Sequence, residues 1–305
     1  MTTTDQLLDG AIVAAPPAPP PPPTPRLSQR HPWLYPWAVR AHQARRQVQW
    51  LRSDVTWATS RETTDLPVRV KQHGSLLVRE LSEDEMALQH GKVTNLRLAS
   101  ARTDGIVLRP GETFSFNKVV GSCTARKGYV AGMRLSNGRA APGVGGGICQ
   151  LANLVHWMVL HSPLTVVERS EHSFDPFPDK GRVLPWGVGC SIVYNYVDLV
   201  VRNDTDTTFQ LRTWVGERHL RGELRADRPV DRSYRVEARA EGFTAYGAGA
   251  ERQVYRHNEI WRTVIDKRTG RTVGEELVKR NHALVTYVPD EALVRPATER
   301  APRRA

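Results

Sequence analysis

Apolar positions return at helical spacing in several stretches of this chain and alternate with polar ones through most of the rest. In HPWLYPWAVRAHQARRQVQWLR, residues 31–52, Trp37, Ala41, Ala44, Val48 and Leu51 recur at intervals of four and three. That spacing predicts a helix with a single apolar stripe. Arg40, Arg45, Arg46 and Arg52 occupy its other faces, and Trp33 and Trp50 lie near its ends. Two readings follow: a basic amphipathic helix lying on an anionic membrane, or a surface helix docked on its own domain. A second helix is expected after the capping box Ser82-Glu83-Asp84-Glu85, running through KVTNLRLASART and stopped by Gly105. A third carries Ile148, Leu151, Ala152, Val155, Met158 and Val159 on one buried stripe and ends near His161-Ser162-Pro163.

Between and after these helices the pattern is that of strands. IVL (106–108), the turn Arg109-Pro110-Gly111-Glu112 and TFSF (113–116) read as a hairpin. LTVVER (164–169), CSIVYNYVDLVVRN (190–203) and TFQLRTWV (208–215) are β-branched, aromatic and alternating. EIWRTVIDKRTGRTVGEELV predicts a further hairpin turning near Gly270. The expected class is α+β: the buried helix from 149 to 160 packs on an antiparallel sheet, with a helical N-terminal region and a β-rich C-terminal extension. The segments expected are a disordered Pro-rich tail over 1–30, a helical region over 31–90, a core over 91–216, a β-rich region over 217–290 and a disordered basic tail over 291–305. Eight of the ten positions from 16 to 25 are proline, which favours extended, uncored backbone.

Composition narrows the class without naming a function. The 305 residues are 40% hydrophobic and 25% charged, ordinary for a globular protein, and the net charge of +11 favours acidic partners. The excess is spread out with no dense Lys/Arg block, so nucleic acid is not expected as a partner. Cys123, Cys149 and Cys190 cannot all pair within one chain and lack zinc-ligand spacing, which argues against a disulfide scaffold and a structural metal. The first residues lack the basic n-region of a signal peptide, and no stretch has the apolar length of a membrane span. The location expected from these features is cytoplasmic, with peripheral membrane contact as a variant.

The chemistry concentrates in PGVGGGICQLANLVHW, residues 142–157. Cys149 opens a helix, where unpaired N–H groups and the dipole favour a thiolate and are able to hold an oxyanion. Gly145, Gly146 and Gly147 either admit a substrate backbone or serve a turn too tight for a Cβ. A nucleophilic cysteine needs a base, and His172 in ERSEHSFDP follows the next strand; Asp198 on YNYVDLV is placed to orient the imidazole. Gln150 and Asn153 on the same helix complete a candidate binding set around Cys149, His172 and Asp198. The order of cysteine, histidine and polar residue is that of papain-like and NlpC-type peptidases. The rival is a non-catalytic module in which glycine loop and helix N-terminus grip an anionic or peptide ligand while the cysteine packs. No cofactor motif is present: GVGGG lacks the Lys-Ser/Thr of a phosphate loop and the spacing of a dinucleotide site.

These residues also carry a resemblance. KVTNLRLASARTDGIVLRPGETFSFNKVVG, the stretch from GYVAGMRLSNGRAAPGVGGGICQ through ERSEHSFDPFPDKGRVLPW, and IVYNYVDLVVRNDTDTTFQLRTWV resemble the VanW family, named for an accessory gene of glycopeptide-resistance clusters. The likeness runs from about residue 31 to 288. It implies a cell-envelope context near peptidoglycan precursors or glycopeptide stress, and it makes Gly145, Gly146, Gly147, Cys149, Gln150 and His172 family features. The Pro-rich tail is not part of the pattern. The function expected is thus an envelope-stress accessory protein, with either a Cys-His pocket acting on peptide or amide bonds or a peptide-binding site at the same place.

Overall fold

The computed structural model describes residues 32–78, 83–136, 139–170, 174–175 and 183–297. Helix α1 (Tyr35–Arg52) leads to strand β1 (Val68–Leu76), then the long helix α2 (Glu83–Thr103). The capping box at Ser82 lies outside the described residues, but Gly105 ends the helix as expected, with φ +76°. Strand β2 (Ile106–Leu108) and β3 (Thr113–Ser115) follow, then the one-turn helix α3 (Phe116–Val120), the hairpin β4 (Ala131–Ser136) and β5 (Arg139–Val144), and helix α4 (Cys149–Leu160).

The central element is an antiparallel four-stranded sheet. Its order is β1, β10 (His219–Ala226), β9 (Phe209–Val215) and β2. Strand β1 precedes residue 91 and β10 follows residue 216, so the sheet draws on segments either side of the 91–216 stretch. The N-terminal region is accordingly helix plus strand rather than helix alone. Helix α4 packs on β1 and β10, and α2 packs on β9. The fold is therefore α+β, with the buried helix lying on an antiparallel sheet as its apolar pattern requires. Gly222 makes the approach close: a Cβ there would stand 2.8 Å from the Met158 methyl group.

A second sheet has the order β14 (Val294–Pro296), β11 (Arg232–Tyr246), β12 (Gln253–Asp266), β13 (Thr272–Val285) and β7 (Phe174–Asp175). The hairpin at Gly270 forms as expected, with φ +69° and the Gly270 N–H donating to the Asp266 carbonyl at 2.8 Å. A third sheet joins β3, β8 (Val200–Arg202) and β6 (Thr165–Glu168).

Two expectations fail here. The segments 106–108 and 113–116 do not form a hairpin: β2 pairs with β9, and β3 pairs with β8 in a different sheet. The turn between them exists, closed by the Glu112 N–H on the Arg109 carbonyl at 3.0 Å, yet both strands are buried on both faces and find partners distant in sequence. The long strand expected over 190–203 shrinks to β8, because the chain doubles back through a tight turn in which Val193 pairs with Val197 and Asn195 takes φ +51°. Alternation records burial, and a buried loop alternates as well as a strand does.

Helix α4 touches two apolar cores. Leu151, Leu154, Val155 and Met158 join Leu96, Phe114, Phe209, Leu220 and Leu224 in the larger one. Trp157 and Leu160 join Val188 and Ile260 in a smaller one against the second sheet. Burial on two sides explains why nearly the whole helix surface, and not a single stripe, is enclosed. No helix among the described residues is long and apolar enough to cross a membrane.

Candidate functional site around helix α4

The glycine turn before α4 is held by its own chain. The Gly145 N–H donates to the Val130 carbonyl at 3.0 Å, and the Gly146 N–H to the Gly143 carbonyl at 2.9 Å. Buried Asn95 of α2 clamps this turn: its amide donates to the carbonyls of Val130 (3.0 Å) and Gly146 (2.9 Å), while its oxygen accepts the Val130 N–H at 2.9 Å. A side chain at any of the three glycines would meet protein. At Gly145 a Cβ would lie 2.6 Å from the Cys123 Cβ; at Gly146 it would overlap the Gly132 peptide; at Gly147 it would overlap the Lys92 side chain. Gly145 and Gly147 also take positive φ, +76° and +94°. Close packing and turn geometry thus account for all three glycines without a ligand.

Cys149 is half-buried at the first turn of α4 and unpaired. Burial pushes its thiol above the ordinary range, opposed by the Ile192 N–H, its own N–H and the charge of Arg134. Gln150 and Asn153 face structural partners. The Gln150 amide donates to Ser75 Oγ and the Leu76 carbonyl, both at 2.8 Å, and Asn153 Oδ1 accepts the Cys190 N–H at 2.6 Å. One turn further, buried His156 meets the Val188 carbonyl through Nδ1 at 2.8 Å, and burial lowers its pKa to about 3, so the ring is neutral. Three polar residues at intervals of three therefore stitch α4 to the segments on either side of it.

Asp198 is fully buried, and its carboxylate is already employed. Oδ2 accepts from Ser115 Oγ at 2.5 Å, and Oδ1 accepts the N–H groups of Asn117 (2.9 Å) and Leu199 (2.8 Å). It holds the start of α3 against the turn at 193–197. Burial raises its pKa to about 6 against the pull of those hydrogen bonds. His172 lies outside the described residues. The next strand segment, β7, is anchored: Asp175 is buried, paired with Arg256 at 3.2 Å and receiving the Tyr287 hydroxyl at 3.2 Å. Arg256 also pairs with Glu241 and lies over the rings of Trp186 (5.0 Å) and Phe243 (5.4 Å). Asn95, Asp175 and Arg256 were missed in the sequence; the only sign was a polar residue set among apolar ones, as with Asn95 beside Leu96.

Beyond the C-terminal half of α4 lies a cavity of about 350 Å³ between β6 and β13. His156 and Leu160 line it from the helix, Thr165 to Val167 from β6, and Glu276 to Lys279 from β13, with Arg169 and Arg262 at its walls. Glu276 is paired there with Arg262 at 2.5 Å, and Arg169 donates to the carbonyls of Gly187 at 2.6 Å and Gly189 at 3.1 Å. Strand β6 is an edge of its sheet. Among the described residues no cluster of three or more His, Cys, Asp or Glu side chains is arranged to hold a metal ion.

Comparison with known proteins agrees with the sequence resemblance. The family model described as VanW like protein matches residues 91–225. The Vancomycin B-type resistance protein VanW of Enterococcus faecalis (strain ATCC 700802 / V583) is 30% identical over 272 residues, covering 88% of this chain and 96% of that protein. The Uncharacterized protein YoaR of Bacillus subtilis (strain 168) is 38% identical over 96 residues, 30% of this chain and 32% of that protein. No solved structure matches the chain significantly. With likeness spanning both the four-stranded sheet and the C-terminal strands, the chain belongs to the VanW family.

Proposed function

We propose that this protein is an accessory factor of the vancomycin-resistance type, acting in cell-envelope stress by holding an extended peptide with a free carboxylate, the chemistry of a peptidoglycan-precursor stem. The observation that carries the reading is the cavity between β6 and β13. An edge strand offers main-chain groups to an extended ligand, and Arg169, Arg262 and Lys279 line the same cavity with N–H donors suited to a carboxylate. The relative's name supports the envelope context. Calorimetric titration with an N-acetylated peptide acid and with its amide tests it. The acid should bind at least about tenfold more tightly than the amide, with Lys279→Gln reducing the difference. Equal affinities, or no heat with either, overturn it.

One observation favours a second reading, in which Cys149 is a nucleophile with His172 as base on a peptide or amide bond. The sulfur opens α4, where the Ile192 N–H and its own N–H favour the thiolate. Iodoacetamide alkylation of Cys149 against pH, in a chain with Cys123→Ser and Cys190→Ala, separates the two. A midpoint below the ordinary thiol range that moves up with His172→Ala supports catalysis. A midpoint above that range, as burial dictates, supports the binding reading.

A further inference from the structure

The apolar stripe of α1 faces away from the protein. Trp37 is 64% exposed, Val48 44% and Leu51 83%, and Trp33, in the single turn preceding the helix, is 70% exposed. Ala41 and Ala44, which complete the stripe, are exposed as well. The helix docks by its opposite side. Arg46 makes a bidentate pair with Glu168 at 2.8 and 2.6 Å, the His42 ring meets Tyr196 at 4.7 Å, and Trp50 meets Trp57 at 6.2 Å. The inward face is mixed, with Val39, Gln43, Arg46 and Trp50 half-buried, so the helix leaves its apolar stripe uncovered where a surface helix usually buries it.

The charges fit one kind of covering. On a helical wheel at 3.6 residues per turn, Arg40 lies on one side of the stripe and Arg45 and Arg52 on the other, roughly 60–80° from its centre. All three are exposed, and α1 contains no acidic residue. Arg40 already folds over the Trp37 ring, 5.5 Å from its centroid. Guanidinium groups flanking an apolar ridge on both sides suit phosphate headgroups above shallowly inserted side chains, with long stems reaching to the polar layer. A protein groove would instead call for apolar contact continuing past the ridge, where this helix has arginine. We propose that α1 lies in the plane of an anionic bilayer, inserting Trp33, Trp37, Val48 and Leu51 while Arg40, Arg45 and Arg52 engage lipid phosphates. Arg46 and Trp50 then fasten the body to the helix, so the α4 region sits at a membrane surface.

The test uses the full chain and vesicles of phosphatidylcholine with and without a minor fraction of phosphatidylglycerol. Co-sedimentation with the anionic vesicles and a blue shift of tryptophan emission are expected, with neither on the neutral ones. Trp37→Ser with Leu51→Ser should weaken partition by about tenfold or more, and Arg40→Gln with Arg45→Gln comparably. The substituted side chains are exposed, so an unchanged melting temperature establishes that the variants fold. Vesicle binding that survives Trp37→Ser with Leu51→Ser would mean diffuse attraction to the basic surface and overturns the proposal. A dimer that those two changes dissolve, without vesicle binding, assigns the ridge to a second copy and overturns it too.

Discussion

Replacing Gly146 with alanine separates the two explanations of the glycine turn. If the glycine serves a ligand, the variant should fold normally and lose only binding. The geometry says otherwise. Gly146 has an ordinary φ, so alanine carries no backbone strain, and the whole effect is steric. The added methyl would overlap the oxygen and carbon of the Gly132 peptide and lie 2.9 Å from its Cα. Those atoms are backbone, in register with Gly143 across the β4–β5 hairpin, and no flexible side-chain end is present to swing aside. Relief requires the hairpin to move off α2, where Asn95 ties it down through Val130. Forced overpacking of this kind costs about 3 kcal/mol. In a chain of this size that is a fall of roughly 5 °C or more in melting temperature. Gly274→Ala is the control: it has an unremarkable φ and open space about its Cβ, and should melt within about a degree of the parent. Thermal unfolding followed by circular dichroism reads both. A Gly146→Ala protein as stable as the parent would refute the packing account and return the glycines to a ligand.

Asp198→Asn probes the buried carboxylate. Its folded pKa, about 6, lies above the ordinary value, so its contribution to stability is full below about pH 4 and is lost as pH rises through 6. The melting difference between parent and variant should shift in the parent's favour as pH falls from 7 to 4, and a constant difference would contradict the assignment. Asp175→Ala should destabilise by about 3 kcal/mol, because it removes one carboxylate from a guanidinium buried at 3% exposure. Chemical unfolding checks it, and a loss under about 1 kcal/mol would mean that the remaining partners, Glu241 among them, satisfy Arg256. Arg46→Ala removes the bidentate tie of α1 to β6, with an expected cost near 1 kcal/mol. Limited trypsin digestion should then cut α1 sooner, and an unchanged cleavage rate would show that Trp50 suffices to hold it.

Much of the architecture was legible because burial leaves a periodic record. The stripe from Ile148 to Val159 announced α4, the apolar run through Leu96 and Ala99 announced α2, and the Gly270 turn announced the long hairpin. Strand pairing was not legible. Nothing local in 106–108 indicates β9 as its partner rather than 113–116, since pairing depends on which buried edges meet in space. The candidate site was legible as composition only. Gln150, Asn153 and Asp198 have the chemistry of site residues, yet each is occupied by a backbone or side-chain partner from a distant segment, at Leu76, Cys190 and Ser115.

Periodicity and turn chemistry, which act over a few residues, determined the helices, several strands and the α+β class, while the longer motif strings carried the family likeness. The tertiary structure alone decided direction and contact: that the α1 stripe points outward, that three glycines accommodate the chain's own atoms, and that an aspartate far from α3 caps its approach. A side chain's type is written in the sequence. Its neighbours are set by segments a hundred residues apart, brought together when the apolar surface of α4 is buried from two sides at once.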